Sequence, residues 1–209
     1  MKAIHFEMAS FLLYAVAIVV IATRYRNHRD YGYALIGCSL AFPFEWGADK
    51  YWMFLDYDWS FRMLVDRLPL MMPFAWGWFF GIPLIVCLRF QDKIDAIPLW
   101  ARWLVLYAIF WPWDFIVEYS STTYRLWVYH WPEGSMIGGI LPWFIPTMVA
   151  TANTTLYFAH KIALRYSEGK GWFHGFSIHV LAYYLVFTLQ VAVGWPLIRM
   201  MGIRPIVVP

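Results

Sequence analysis

The sequence predicts an all-α fold: one transmembrane domain over residues 1–209, a polytopic helical bundle of about six spans with proline kinks. Three observations lead there. The 209 residues are 62% hydrophobic and 22% aromatic but only 14% charged, whereas a soluble domain carries about 25% charged residues. Apolar runs close to the roughly 20 residues that cross a bilayer recur six times. The connections between these runs are short and polar.

The first span, about Met8 to Thr23, follows a single Lys and has no small-residue cleavage site. It reads as a retained helix rather than a removed signal peptide. The second, about Tyr31 to Trp52, contains YGYALIGCSLAFPFEW, and the third, about Leu64 to Leu88, contains LPLMMPFAWGWFFGIPLIVCL. The fourth runs from about Leu99 to Tyr119, the fifth from about Met136 to His160, and the sixth from about Trp172 to Met200. Prolines 43, 69, 73, 83, 112, 142, 146 and 196 lie in or near these spans. They are expected to kink helices, which a membrane bundle tolerates when neighbouring helices satisfy the freed carbonyls.

The connections RYRNHRD, RFQDKIDAIP and KIALRYSEGKG follow odd-numbered spans and are basic, so by the positive-inside rule they mark the cytoplasmic side. Glu7, Glu45, Asp49, Asp56, Asp58, Asp66, Asp114, Glu118 and Glu133 gather toward the other side. The expected location is a bacterial inner membrane, crossed several times. The net charge of +3 comes from scattered residues, with no basic block of the kind that binds nucleic acid. Cys38 and Cys87 each sit in an apolar run and make neither a disulfide framework nor a CxxC site. GWFFG at Gly77–Gly81 matches GxxxG, as a close helix contact or by chance.

Carboxylates inside an apolar chain are the strongest functional signal, because an acid at membrane depth is costly to keep. In the fourth span Trp103, Tyr107, Trp111, Asp114 and Glu118 recur at helical spacing and form one stripe, three aromatics leading to two acids. In the second span Phe42, Glu45, Asp49 and Trp52 do the same; Asp66 stands near the same level ahead of Trp76 and Trp78. In the simplest packing these acids converge at one end of the bundle. Burial and a like-charged neighbour both favour a neutral carboxyl. A neutral carboxyl in an aromatic pocket is a general acid suited to a weakly basic substrate such as an alkene or epoxide. Aromatic faces then stabilise the cation by about 0.5–2 kcal/mol each.

Asp114 and Glu45 are the leading acids, with Glu118 and Asp66 behind them. The competing reading is interfacial: the acids reach the headgroups and pair with Arg62, Arg67 or Arg125, and the tryptophans form an aromatic belt. Asp49, Asp56, Asp58 and Glu133 read as solvated loop acids. Asn153 with its neighbours Thr154 and Thr155, and Gln190, are polar at mid-span and suit interhelical hydrogen bonds or a substrate oxygen. The six histidines lack HxxxH or HxxHH spacing, so a membrane diiron box is not expected. Asp114, Glu118 and His130 make a weaker metal set. No GxSxG, P-loop or GxGxxG is present, so nucleophilic hydrolysis and nucleotide chemistry have no support.

YGYALIGCSLAFPFEW, following a short loop after the first span, resembles the small integral-membrane terpene cyclases. The resemblance makes Glu45 one of two substrate-protonating acids; the family's second acid lies in the last span, where this chain has none. LPLMMPFAWGWFF, WPWDFIVEYSSTTYRLWVYHWPEG and the Gly/Pro-rich lead into the fifth span resemble the membrane carotenoid hydratases and the related small lycopene cyclases. There Asp114 is the matching acid, while LPWFIP stands where the lycopene cyclases carry paired glutamates. Both resemblances imply a small helical bundle that protonates a polyisoprenoid C=C or epoxide and lets water or another alkene capture the cation. Trp46, Trp76, Trp111, Trp113, Tyr107 and Asn153 would line the substrate pocket, and neither metal nor other cofactor is required. The expected partners are an isoprenoid or lipid substrate and membrane lipids, with a homo-oligomer or larger membrane complex as an open possibility. The alternatives are a non-catalytic subunit that binds pigment, quinone or lipid, and a metal-dependent membrane oxygenase subunit.

Overall fold

The computed structural model describes residues 3–25, 28–48, 55–66 and 68–204. Asp49, Trp52 and Arg67 lie outside the described residues. The protein is about 75% helical. Three rods are long and apolar enough to cross a membrane: Ala3–Arg24, Met72–Arg89 and Trp172–Met200. The first is helix α1 and the last is α9. The middle one joins α4 (Met72–Trp76), a π-helical turn (Gly77–Gly81) and α5 (Ile82–Arg89). Two more rods match them in length but are more polar: α7 (Leu99–Thr123), which carries Asp114 and Glu118, and α8 (Phe144–Ser167), which carries Asn153. α2 (His28–Leu40), α3 (Pro43–Ala48) and α6 (Gln91–Asp95) are the remaining α-helices among the described residues. Exposed apolar side chains run down α1 (Met8, Leu12, Val16, Val19) and α9 (Leu181, Leu185, Leu189, Val193). Faces of this kind suit lipid rather than water, and the apolar rods fit a membrane protein.

The prolines mostly start elements instead of kinking them. Among the described residues Pro112 and Pro196 lie in helix interiors, and α7 and α9 run through them, while Pro146 sits in the first turn of α8. Pro73 and Pro83 occupy the first turns of α4 and α5, and Pro98 is the N-cap of α7, positions where a missing N–H costs nothing. Pro43 ends the expected second span early. A turn in which the Ala41 and Phe42 N–H groups donate to Cys38 and Ser39 separates α2 from α3, because proline disfavours helical geometry in the residue before it. That break re-aims Glu45.

Three two-stranded antiparallel ribbons depart from the all-α expectation. β1 (Leu55–Tyr57) pairs with β4 (Trp127–Tyr129), β2 (Met63–Val65) with β3 (Leu68–Pro69), and β5 (Met136–Ile137) with β6 (Leu141–Pro142). The expected starts of the third and fifth spans are therefore strand and turn. Asp66 turns at φ 49°, and Gly138 and Gly139 turn at φ 60° and 74°, left-handed values that end a helix and suit a tight hairpin. In the β1–β4 ribbon Leu55 faces Tyr129 and Tyr57 faces Trp127. These four are buried while Val128 between them is exposed, the two-residue alternation of a strand with one face inward.

α8 packs on both α7 and α9, and α2 packs on the π turn and on α9. GWFFG is a close-contact surface. A methyl on Gly81 would sit 2.9 Å from the Leu35 Cα, and one on Gly77 would meet Tyr14 and Ser39, whose hydroxyls hydrogen-bond at 2.8 Å. Gly81→Val is expected to cost about 1–3 kcal/mol by overpacking against backbone that cannot yield, read as a lower thermal unfolding midpoint of the purified protein.

At the basic end, the Asp95 carboxylate accepts from Arg102 Nη1 (3.0 Å) and Tyr157 Oη (3.0 Å) and pairs with Lys161 Nζ (2.9 Å). Partial burial pushes this carboxyl up, but the Lys161 and Tyr157 hydrogen bonds and the Lys161 and Arg102 charges outweigh it and hold it below its usual range. A depressed folded pKa means stability that is present above the unfolded value of about 3.9 and lost as pH falls through the folded one. Asp95→Asn should therefore lower the unfolding midpoint at neutral pH, and the gap to wild type should close in acid. The carboxylate is about a third exposed, so screening limits the loss to about 1 kcal/mol.

Candidate functional site

Glu45 on α3 and Glu118 on α7 face one cavity under the β1–β4 ribbon. The cavity measures about 570 Å³, open mouth included, and its walls include Phe6, Tyr57, Trp76, Trp78, Trp127 and Tyr129. Tyr57 Oη donates to Glu45 Oε1 at 2.7 Å, and the Trp76 indole lies within hydrogen-bonding reach of the same carboxylate. Glu118 is 8% exposed. Its Oε2 accepts from Trp127 Nε1 at 3.2 Å and from Tyr129 Oη at 2.9 Å. Oε1 of Glu118 has no hydrogen-bond partner among the described residues. With two donors fixed on Oε2, a proton on Glu118 belongs on Oε1.

A second cavity of about 670 Å³, open mouth included, adjoins the first; Glu45, Trp76, Phe80 and Val149 line both. Its walls come from α3, α4, the π turn, α8 and α9. Trp76, Phe80 and Phe187 form a tight aromatic corner at the junction, with ring centroids 4.7–5.2 Å apart. Among the described residues no Lys or Arg lines either cavity.

Asp114 sits apart from both cavities. It is 0% exposed and held between α7 and α8, where Asn153 Nδ2 donates to its Oδ1 at 3.0 Å. Asp114 Oδ2 and Asn153 Oδ1 are buried without partners. The pair is therefore an interhelical contact one turn below Glu118. Asp66 lies on the exposed turn between β2 and β3 and lines neither cavity.

Of the expected pocket aromatics, Trp76 is in place. Trp46 is 43% exposed and off the cavities. Trp113 stands behind the wall, donating to the Phe79 carbonyl at 3.2 Å and stacking on Phe79. Trp111 donates to Thr147 at 3.4 Å and stacks on Phe115, and Tyr107 stacks on Trp103. These i, i+4 ladders run along a half-buried side of α7 that packs against the core, away from both cavities. The expected arginine partners are also redistributed: Arg62 pairs with Glu7 on α1, and Arg125 is exposed at the turn before β4.

His130 Nε2 lies 2.9 Å from Asp56 Oδ2 across the ribbon. Among the described residues no three His, Cys, Asp or Glu side chains gather into a metal-ligand group. His160 and His179 do meet, with ring centroids 4.7 Å apart in the α8–α9 interface. Their Nδ1 atoms are tied to Tyr183 Oη (2.5 Å) and the Gly175 carbonyl (2.7 Å).

Tyr57, Trp127 and Tyr129 were not anticipated. Their alternation with exposed or half-buried residues in LDY and WVY is the only local sign, and in strands of three residues that pattern carries little weight. Compared with known proteins, the chain matches no family model, no curated protein and no solved structure.

Proposed function

We propose that this chain is a multi-pass membrane enzyme of carotenoid or terpenoid metabolism, a hydratase or cyclase that protonates a polyisoprenoid C=C or epoxide. The observation that carries the reading is the convergence of Glu45 and Glu118, from separate helices, on one aromatic cavity, with the hydrogen bonds of Glu118 among the described residues falling on Oε2. Like charges facing one apolar space repel, so the pair suits sharing a proton. Glu118 Oε1–H gives that proton to an alkene carbon, or to an epoxide oxygen whose C–O bond then breaks. The positive charge left on carbon lies among Trp76, Trp78 and Trp127, the ring type that stabilises cations best. Water captures it and gives up a proton to a carboxylate; a second alkene captures it by forming a C–C bond that moves the charge to another carbon, where water capture or loss of a C–H proton to a carboxylate ends the reaction. Among the described residues no cationic side chain lines the cavities to hold a diphosphate, so the reading takes neutral isoprenoids.

The runner-up, a pigment-, quinone- or lipid-binding subunit, is favoured by the apolar second cavity, which would hold any chain-like apolar ligand. The test is conversion of neutral terminal-epoxide polyprenes by purified protein in lipid nanodiscs, with products read by mass spectrometry. Conversion that depends on Glu118 supports the enzyme, and tight binding without conversion supports the subunit.

A further inference from the structure

We propose that the second cavity is the subsite for the unreacted tail of the substrate, and that α9 sets how long that tail can be. This rests on the acid reading of the first cavity and adds a specificity element to it. Three observations carry the assignment. The cavities adjoin, with Glu45, Trp76, Phe80 and Val149 lining both, so a molecule whose reacting end lies at Glu118 has a neighbouring apolar space for its remainder. That space is elongated: its wall on α9 runs from Phe187 through Val191 and Trp195 to Ile198, eleven residues on, or roughly 16 Å at the helical rise. It is also nearly free of polar groups: among the described residues its walls add to Glu45 the two indole N–H groups of Trp76 and Trp195 and Gln190, whose amide donates to the Met148 carbonyl at 2.8 Å. An apolar chain loses nothing by entering such a wall, whereas a polar end would strand its hydrogen bonds.

The far end has an anchored stop. Trp195 packs edge-on to Trp131 at 5.8 Å, and the Arg199 guanidinium lies 5.2 Å from its ring centroid. Val191, half-buried, stands on the wall between that stop and the aromatic corner at Phe187, and Ala152, buried, lines the same space from α8. Enlarging either shortens the space, and removing the Trp195 ring lengthens it.

The experiment is equilibrium binding of neutral terminal-epoxide polyprenes of farnesyl, geranylgeranyl and squalene length to full-length protein in nanodiscs, measured by native mass spectrometry beside turnover. Wild type should bind more tightly as the chain lengthens, up to a limit. Val191→Trp and Ala152→Phe should each weaken the longest probe at least tenfold relative to the shortest, whose retained binding certifies the fold. Trp195→Ala should move the limit toward longer chains. A length profile identical in wild type and all three variants overturns the proposal, as does a groove holding a bilayer acyl chain that no probe displaces. Length-dependent binding that shifts as described, with no turnover in wild type, sinks the acid chemistry and leaves the tail subsite standing.

Discussion

Glu118→Gln should lower conversion of a neutral polyprene epoxide by about 10²- to 10⁴-fold, the range of a lost general acid, while leaving binding unchanged. The substitution isolates the proton. The glutamine carbonyl can take the Oε2 position and accept from Trp127 Nε1 and Tyr129 Oη as the carboxylate does. Its NH₂ then faces the cavity where Oε1 stood, the same size and polar but without an acidic proton. Glu45→Gln keeps the Tyr57 hydrogen bond and removes the second carboxyl, with an expected loss of about 10²-fold from a missing electrostatic partner. Asp114→Asn, off both cavities, should stay within about tenfold of wild type, or 1.4 kcal/mol of barrier. Full product formation by both the Glu118→Gln and Glu45→Gln proteins would end the acid reading. A loss confined to Asp114→Asn would return the chemistry to the α7–α8 interface.

The helical class could be read from composition and run length, because lipid-facing helices announce themselves by what they lack. The carboxylates as a group were legible for the same reason. Their ranking was not. Asp114 and Glu118 share a face of α7, and nothing local distinguishes an acid facing Asn153 on a neighbouring helix from one facing a cavity. That distinction comes from the β1–β4 ribbon, which joins residues 55–57 to 127–129. Such a pairing is fixed by packing at long sequence separation, not by local propensity. Glu45 was legible as an acid closing an apolar run. Its aim depends on the break at Pro43, where the sequence alone suggested a kink within one continuous span. The aromatic stripe of α7 was read with the correct period, but Trp111 and Tyr107 pack half-buried against the core, with Trp111 bonded to Thr147 of α8, and the pocket aromatics come from α1, α4, the π turn and the ribbon. A π turn presents successive residues differently from an α-helix, so Trp78, Phe79 and Phe80 are all buried in a way no 3.6-residue pattern predicts.

Arg62→Ala should destabilise the protein by about 2–3 kcal/mol and loosen the cavity at the same time. Glu7 is 0% exposed on α1, and both its oxygens lie 3.1 Å from Arg62 Nε. Removing one partner of a buried ion pair costs about 3–5 kcal/mol, because the remaining charge is left uncompensated; with Arg62 largely exposed, solvent screening takes the lower figure. The pair also joins α1 to the strap that carries Phe61. Phe61 packs edge-on to Phe6 and to Tyr57, and Phe6 packs on Trp127 at 6.0 Å, so the strap holds the outer wall of the Glu45–Glu118 cavity. Adding Glu7→Gln to Arg62→Ala should recover part of the lost stability, since it removes the stranded charge. It should not recover the wall, because the strap remains untied. Thermal unfolding together with probe binding separates the two effects. Recovery of both in the double variant would show that the ion pair acts only through its charge and does not hold the strap.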